Sequence, residues 1–245
     1  MGLPVSVLVR GPGVRTRPDV AAAVQAVYAH LRQADRTFST YRLDSEISRL
    51  RRGELPAGNP DVQAVLELCA VARDATEGWF DASLPDPDGQ RRIDPSGLVK
   101  GWAVERAADA LRGPDGIDWV LNAGGDVAAS AAYGDSWRVG VEDPRDRSRM
   151  LAIVACRDGA VATSGSAARG DHVFNPHTGR PAHGLASATV AGPSLMWADV
   201  YATAAFARGP AALAWLESRS GYEGMLVHPD GTMTQTAGWG AVVVG

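Results

Sequence analysis

Helical periodicity fills the first half of this chain while short β-type runs crowd the second, and that segregation limits the fold more than any other feature. Between Thr16 and Phe38, Val20, Val24, Val27, Tyr28 and Leu31 recur on one helical face behind Pro18. A second helix is expected from Pro60 to Ala75, with Asn59 as N-cap, Pro60 in the first position and Val62, Val65, Leu66 and Cys69 turned inward, ended by Gly78. A third should start near Leu98 and run through Trp102, Ala103, Ala107, Ala110 and Leu111 to the stop at Gly113-Pro114. A fourth carries Asp199 and Thr203, and a fifth covers Ala211 to Arg219. Val5, Val7 and Val9 alternate as in a first strand. Further β-type runs fall at Trp119–Leu121, Trp137–Val141, Leu151–Ala155, Ser187–Val190, Met225–Val227 and Ala241–Val244. Brief Gly/Asp turns between them favour antiparallel pairing over repeated βαβ units, so the expected class is α+β. Pro85 to Gly89 reads as a surface turn.

The 245 residues, 45% of them hydrophobic, are enough for one large domain or two intimate lobes. The formal charge is −4 and the basic residues are scattered among acids, which argues against nucleic acid as a partner. No apolar run reaches the roughly 20 residues of a membrane helix, and MGLPVSVLVR lacks the layout of a secretory signal, so a cytoplasmic protein without a membrane span is expected. Gly2 and Ser6 fit the permissive myristoylation pattern, but the alternating valines suit an ordinary strand better. Cys69 and Cys156 lie in apolar surroundings without C-x-x-C spacing and are expected to be buried free thiols.

Chemistry concentrates in a few segments. In ADVYATAAF at 198–206, Asp199 and Thr203 are four apart and therefore neighbours on one helix face; a carboxylate and a hydroxyl there make a hard, all-oxygen site suited to Mg²⁺. In DPSGLVKGWAVERAADAL at 94–111, Asp94, Ser96 and Gly97 precede a helix whose first N–H groups can receive phosphate. Lys100 in its first turn opposes the helix dipole, which a bound anion would explain, although a solvated lysine is the plainer reading. LNAGGDV at 121–127 is either a ligand-facing turn or a simple hairpin. FSTYRLDSEISRL at 38–50 offers Ser45 and Glu46, which a helix cap would equally employ. In VATSGSAARGDHVFNPHTGRPAHG at 161–184, Ser166 is outside any nucleophile elbow, and His172, His177 and His183 lack zinc-site spacing. A histidine beside Asp171 suits proton transfer, because imidazole titrates near neutrality.

Taken in order, these segments, with WRVGVEDP and SATVAGPSLMWADVYATAAF, resemble the ApbE-type flavin transferases, the FAD:protein FMN transferases, over nearly the whole chain. The resemblance implies one domain over residues 1–245, an ApbE-like, T-fold-related unit of two lobes with a largely antiparallel sheet, flanking helices and a flavin cleft between the lobes. It implies Mg²⁺-dependent transfer of FMN from FAD to a Ser or Thr hydroxyl of a target flavoprotein, with release of AMP. Asp199 and Thr203 become side-chain metal ligands, with a backbone carbonyl near Gly97 as a third. His172 becomes the general base for the incoming hydroxyl. Ser45, Glu46, Lys100, Asp126 and the Thr163-Ser164-Gly165 turn line the FAD cleft, with Phe38 to Tyr41 and Met196 in segments near the nucleotide.

The chain departs from the family's pattern in places. Many members are longer, exported and lipid-anchored, whereas neither a signal nor a lipobox cysteine is read here, so a cytoplasmic target or one on a cytoplasmic face is expected. Asn175 stands where Asp is commoner, leaving the acidic charge near His172 to Asp171, and the short stretch between Asp81 and Asp94 suggests a trimmed loop and a more open cleft. Two rival readings use the same residues: an FAD pyrophosphatase yielding FMN and AMP, and a non-catalytic flavin-binding or delivery protein. A pure binder needs neither a metal pair nor a base.

Overall fold

The computed structural model describes residues 2–54, 58–85, 91–166 and 173–244. Its elements are β1 (Val5–Arg10), α1 (Pro18–Phe38), α2 (Glu46–Arg51), α3 (Pro60–Ala75), β2 (Ser83–Pro85), β3 (Arg91–Ile93), α4 (Ser96–Ala108), β4 (Asp118–Ala123), β5 (Asp126–Ser130), β6 (Trp137–Asp143) and β7 (Asp146–Cys156). They continue with β8 (Asp158–Gly165), β9 (Phe174–Asn175), β10 (Arg180–Pro181), β11 (Ser187–Gly192), α5 (Leu195–Arg208), α6 (Ala212–Glu217), β12 (Glu223–Val227), β13 (Met233–Gln235) and α7 (Trp239–Val242). Seven strands form the central sheet in the order β1-β4-β5-β8-β11-β12-β13, and every neighbouring pair is antiparallel. The fold is thus α+β with an antiparallel sheet, as expected.

Each face of this sheet is covered. Ala128, Ala160, Ala162, Ala188 and Leu226 join the larger core with α1, α4 and α5. Val127, Ala129, Val161, Met225 and Val227 alternate with them and join a second core beneath the β6–β7 hairpin and Trp239. A strand buried on both faces shows no polar/apolar alternation, which is why β5 (DVAAS) and β8 (DGAVATSG) carried no recognisable strand signal. The small side chains on the helix face let α5 lie close to the sheet. α5 is itself buried nearly all round, through Ala198, Ala202, Ala204, Ala205 and Ala207 among others.

The helices start where their caps place them. Asn59 Oδ1 accepts from Asp61 N at 2.9 Å ahead of Pro60. Ser194 Oγ accepts from Trp197 N at 3.3 Å at the head of α5. α4 and α5 cross at Gly101, where a β-carbon would lie 2.7 Å from Met196 Cα and 3.1 Å from Leu195 O. Only hydrogen fits between the two backbones, so Gly101 sets how near the neighbouring Lys100 can come to α5.

Other expectations need correction at the edges. The first helix starts at Pro18, because Val14–Thr16 forms a separate 3-10 turn. α4 gives way at Asp109 to another such turn, and α6 ends at Glu217 rather than Arg219. α3 runs from Pro60 to Ala75 as expected, and Gly78 N donates to Arg73 O at 2.8 Å beyond its end. The Ala241–Val244 strand is not formed: Trp239, only 1% exposed, anchors the chain in the lower core, and the backbone turns into α7, leaving Val243 a single bridge to Val154. Most of the Pro85 to Gly89 turn lies outside the described residues. Cys69 and Cys156 are buried free thiols, as expected, and burial pushes them up to about 12 and about 11 respectively.

Replacing Gly101 by Ala should destabilise the protein by about 1–3 kcal/mol through overpacking against fixed backbone. Gly240→Ala, in a helix with nothing within 4 Å of the new methyl, should be neutral or slightly stabilising. Urea unfolding of the two variants checks the pair, and equal stabilities would refute the crossing argument.

Candidate metal and phosphate site

Three elements bring one ammonium and two carboxylates together at the end of the sheet. β4 and β5 are joined by Gly124-Gly125, both at positive φ (66° and 102°), a two-residue turn that suits the twist of a hairpin. Asn122 Oδ1 accepts from Gly125 N at 3.1 Å and fixes the turn, which delivers Asp126 at the first position of β5. The hairpin reading of LNAGGDV is therefore right about the backbone, and its acid faces inward: Asp126 is 1% exposed. Lys100 of α4 pairs with Asp126 Oδ2, and its Nζ lies 3.2 Å from Asp199 Oδ1 on α5. Burial alone would push the Lys100 ammonium down, but the facing charges of Asp199 and Asp126 outweigh it and hold the group well above the ordinary lysine value. A solvated lysine is not what the fold makes of this residue.

The neighbouring hydroxyls extend the cluster. One turn beyond Asp199, Thr203 Oγ1 lies 2.9 Å from Ser164 Oγ, so α5 and β8 touch through two hydroxyls. Asp126 Oδ1 accepts from Thr163 N at 3.1 Å, and Thr163 Oγ1 lies 2.9 Å from Thr189 Oγ1 on β11. Gly165 permits the close approach of β11, since a β-carbon there would be 2.8 Å from Ala186 O. All the donors gathered here are oxygens. A hydroxyl carries one proton and two lone pairs, so Thr203 can donate to Ser164 and keep a lone pair for a cation. With the Asp199 carboxylate beside it, this donor set fits a hard divalent ion such as Mg²⁺.

The remaining candidates take different places. Gly97 lies on α4 one turn before Lys100, beneath the Phe80 ring. Just upstream, Asp94 accepts from Ser96 N at 3.1 Å and from the Ser96 hydroxyl. Ser45 caps α2: its hydroxyl donates to Ser39 O at 2.7 Å and accepts from Ser48 N at 3.2 Å. Glu46 clasps Asn59, accepting from its backbone N at 3.2 Å and its Nδ2 at 2.9 Å, so these bonds tie α2 to the start of α3. Arg51, on the same short helix, reaches Asp94 at 3.7 Å and brings α2 to the entrance of α4. Asp171 and His172 lie outside the described residues. The segment that follows is pinned by the β9–β10 hairpin, where Asn175 Oδ1 accepts from His177 N at 2.9 Å and the His177 ring meets Trp79 edge-on at 4.5 Å.

Sequence reasoning missed Glu105. Its Oε2 accepts from Ser194 Oγ at 2.8 Å and from Met196 N at 3.0 Å, clamping the head of α5 to α4. Glu105 is one turn past Gly101 and shares its helix face. An acid four residues beyond a buried helical glycine was the only available signal.

Comparison with known proteins gives the family and the fold. The ApbE family model matches residues 82–226. The FAD:protein FMN transferase of Treponema pallidum is 24% identical over 296 aligned positions, covering 91% of this chain and 82% of the relative. Proteins of the same name from Vibrio cholerae and Escherichia coli K12 are 32% and 27% identical over 48% and 70% of this chain, and the matches span only 39% and 51% of those relatives. Among solved structures, the ApbE protein of Thermotoga maritima superimposes with a TM-score of 0.84 at 20% identity, covering 100% of this chain and 97% of that one. The flavin transferase ApbE of Vibrio cholerae gives 0.79 at 22% identity, over 98% and 99%. At such identities the superpositions establish the fold.

Lys100→Met removes the cation facing two buried carboxylates and should cost on the order of 3 kcal/mol, at the lower end for a broken buried pair because the lysine side chain is 19% exposed. Adding Asp126→Asn should recover part of that loss, a non-additivity that a double-mutant cycle in urea measures directly. The folded ammonium is held above its unfolded value. Its contribution is therefore complete below about pH 10.4 and lost only as pH rises through the folded value. The Lys100→Met deficit should accordingly stay constant from about pH 7 to about pH 9.

Proposed function

Since the chain belongs to the ApbE family, we propose that it transfers FMN from FAD to a Ser or Thr hydroxyl of a target flavoprotein in a Mg²⁺-dependent reaction that releases AMP. The observation carrying this reading is the buried meeting of Lys100, Asp126 and Asp199, with Thr203 one turn along α5. A cluster with two carboxylates, an ammonium and a spare hydroxyl suits a metal-bridged diphosphate better than an uncharged ligand.

In this reading Asp199 and Thr203 hold the metal, with the Gly97 carbonyl as a third oxygen. A metal held there would supply charge neutralisation to the diphosphate as AMP departs. Ser164 orients the Thr203 hydroxyl, and Asp126 positions Lys100 and the Thr163 amide. Lys100 offers its protons to the phosphate oxygens. The target hydroxyl attacks the FMN-side phosphorus, its proton passes to His172, and the bond from that phosphorus to the bridging oxygen breaks. General-base assistance of this kind contributes about 10²–10⁴-fold. Ser45 and Glu46 act at the cleft by capping α2 and tying it to the start of α3.

The test is incubation with FAD, Mg²⁺ and a flavoprotein fragment bearing an acceptor threonine, followed by intact-mass measurement. One FMN unit should be added to the fragment, and the addition should be lost with EDTA and reduced at least about 10²-fold in Asp199→Asn. Free FMN and AMP with an unmodified fragment would replace transfer by hydrolysis, and intact FAD throughout would overturn the enzymatic reading.

A further inference from the structure

Lys100 is the only lysine in the chain; the other 23 members of its 24 Lys+Arg are arginines. The surface is therefore served entirely by guanidinium groups, and the one ammonium is spent on the two buried acids of the site. Elsewhere this chain meets buried carboxylates with arginine: Arg10 pairs with Asp118 at 3.0 Å and Arg145 with Asp143 at 3.0 Å, each acid at most 3% exposed. The two residue types differ physically. Arginine presents a planar fork that locks onto one carboxylate, whereas lysine carries a compact point charge on a flexible stem that can rotate between partners.

The position of that charge matters because Asp199 is asked to do two things. Its Oδ1 lies 3.2 Å from Lys100 Nζ, while Thr203 one turn later turns its hydroxyl toward Ser164 in the same corner. A divalent ion on Asp199 would meet the ammonium across a single carboxylate in a site of low effective dielectric, where like charges repel strongly. The second acid offers a way out. Asp126 also pairs with Lys100, sits on a different element, and keeps its own bond from Thr163 N whether or not the lysine holds Asp199.

We propose that Lys100 is the built-in counter-ion of the metal site, and that a metal loads by taking Asp199 from Lys100, which then retains Asp126. The inference rests on the metal reading of Asp199 and Thr203. Its consequences concern this chain's own residues. Without metal, the ammonium keeps two buried carboxylates compatible with a folded core. With metal, the released protons of Lys100 become available to an anion beside the ion, so loading prepares the site for a diphosphate. The exchange makes metal binding reversible and modest in affinity, since the ion must displace a cation already in place.

A single lysine makes the exchange directly observable. Protein labelled with ¹⁵N only in lysine should give one side-chain ammonium signal, and Mg²⁺ added without nucleotide should move it, with the same midpoint as calorimetric binding. Lys100→Met should bind Mg²⁺ about tenfold or more tightly than wild type because the competing charge is gone. Lys100→Arg, with unchanged charge, should bind it more weakly than wild type because the fork holds Asp199. If Lys100→Met alone does not fold, Lys100→Met/Asp126→Asn keeps Asp199 without its competitor and should likewise bind more tightly. Mg²⁺ binding by calorimetry with an unmoved ammonium signal, or equal affinities in wild type, Lys100→Met and Lys100→Arg, would overturn the exchange. Wild type and Asp199→Asn alike failing to bind Mg²⁺ would instead remove the metal reading, and the exchange with it.

Discussion

The ammonium of Lys100 is the point at which sheet and helices are electrically joined. Asp126 comes from the second strand of a hairpin and Asp199 from the middle of a nearly all-buried helix, and each would be costly in the interior by itself. One cation between them makes both tolerable. That arrangement has geometric prerequisites: a glycine at 101 to let α4 and α5 cross, Glu105 to hold the head of α5, and a layer of alanines under α5. The packing and the chemistry are thus the same problem, since each small residue that closes the helix–sheet distance also brings polar atoms within reach of one another.

The Thr203–Ser164 contact shows how close that approach is. Two hydroxyls from α5 and β8 lie 2.9 Å apart across a helix–sheet interface rich in alanine. Larger side chains at Ala160, Ala162 or Ala188 would lift the helix and separate them. Small residues here set a distance, whereas in the second core Met225, Val227 and Trp239 simply fill space.

Much of this was legible in the sequence, and the failures have physical causes. α1 and α3 lie at the protein surface with one face buried, so their stripes and the Asn59 cap could be read. β5 and β8 are sandwiched between layers, which erases the alternation on which strand reading depends. The valine run at the C-terminus promised a strand, but burial of Trp239 decided the local backbone instead. In the site, the spacing of Asp199 and Thr203 announced a shared helix face, and the ordered motifs brought Lys100 and Asp126 under suspicion together. No local pattern could have said that Lys100 bridges both acids, because the three residues are far apart in sequence. Nor could it reveal Glu105, whose partners lie about ninety positions away. Ser45 and Glu46 illustrate the converse: their residue types suit a ligand and a helix start equally, and the structure shows them engaged in capping and clasping.

A cation bound between α5 and the head of α4 is what this arrangement of residues requires. The most direct measurement is anomalous diffraction from crystals soaked in Mn²⁺, which replaces Mg²⁺ at oxygen sites and scatters strongly enough to be located. One strong peak is expected in contact with Asp199 and Thr203, with the Lys100 ammonium turned toward Asp126. A metal bound elsewhere, or a soak at saturating Mn²⁺ in which Lys100 still bridges both carboxylates with no peak beside them, would contradict it.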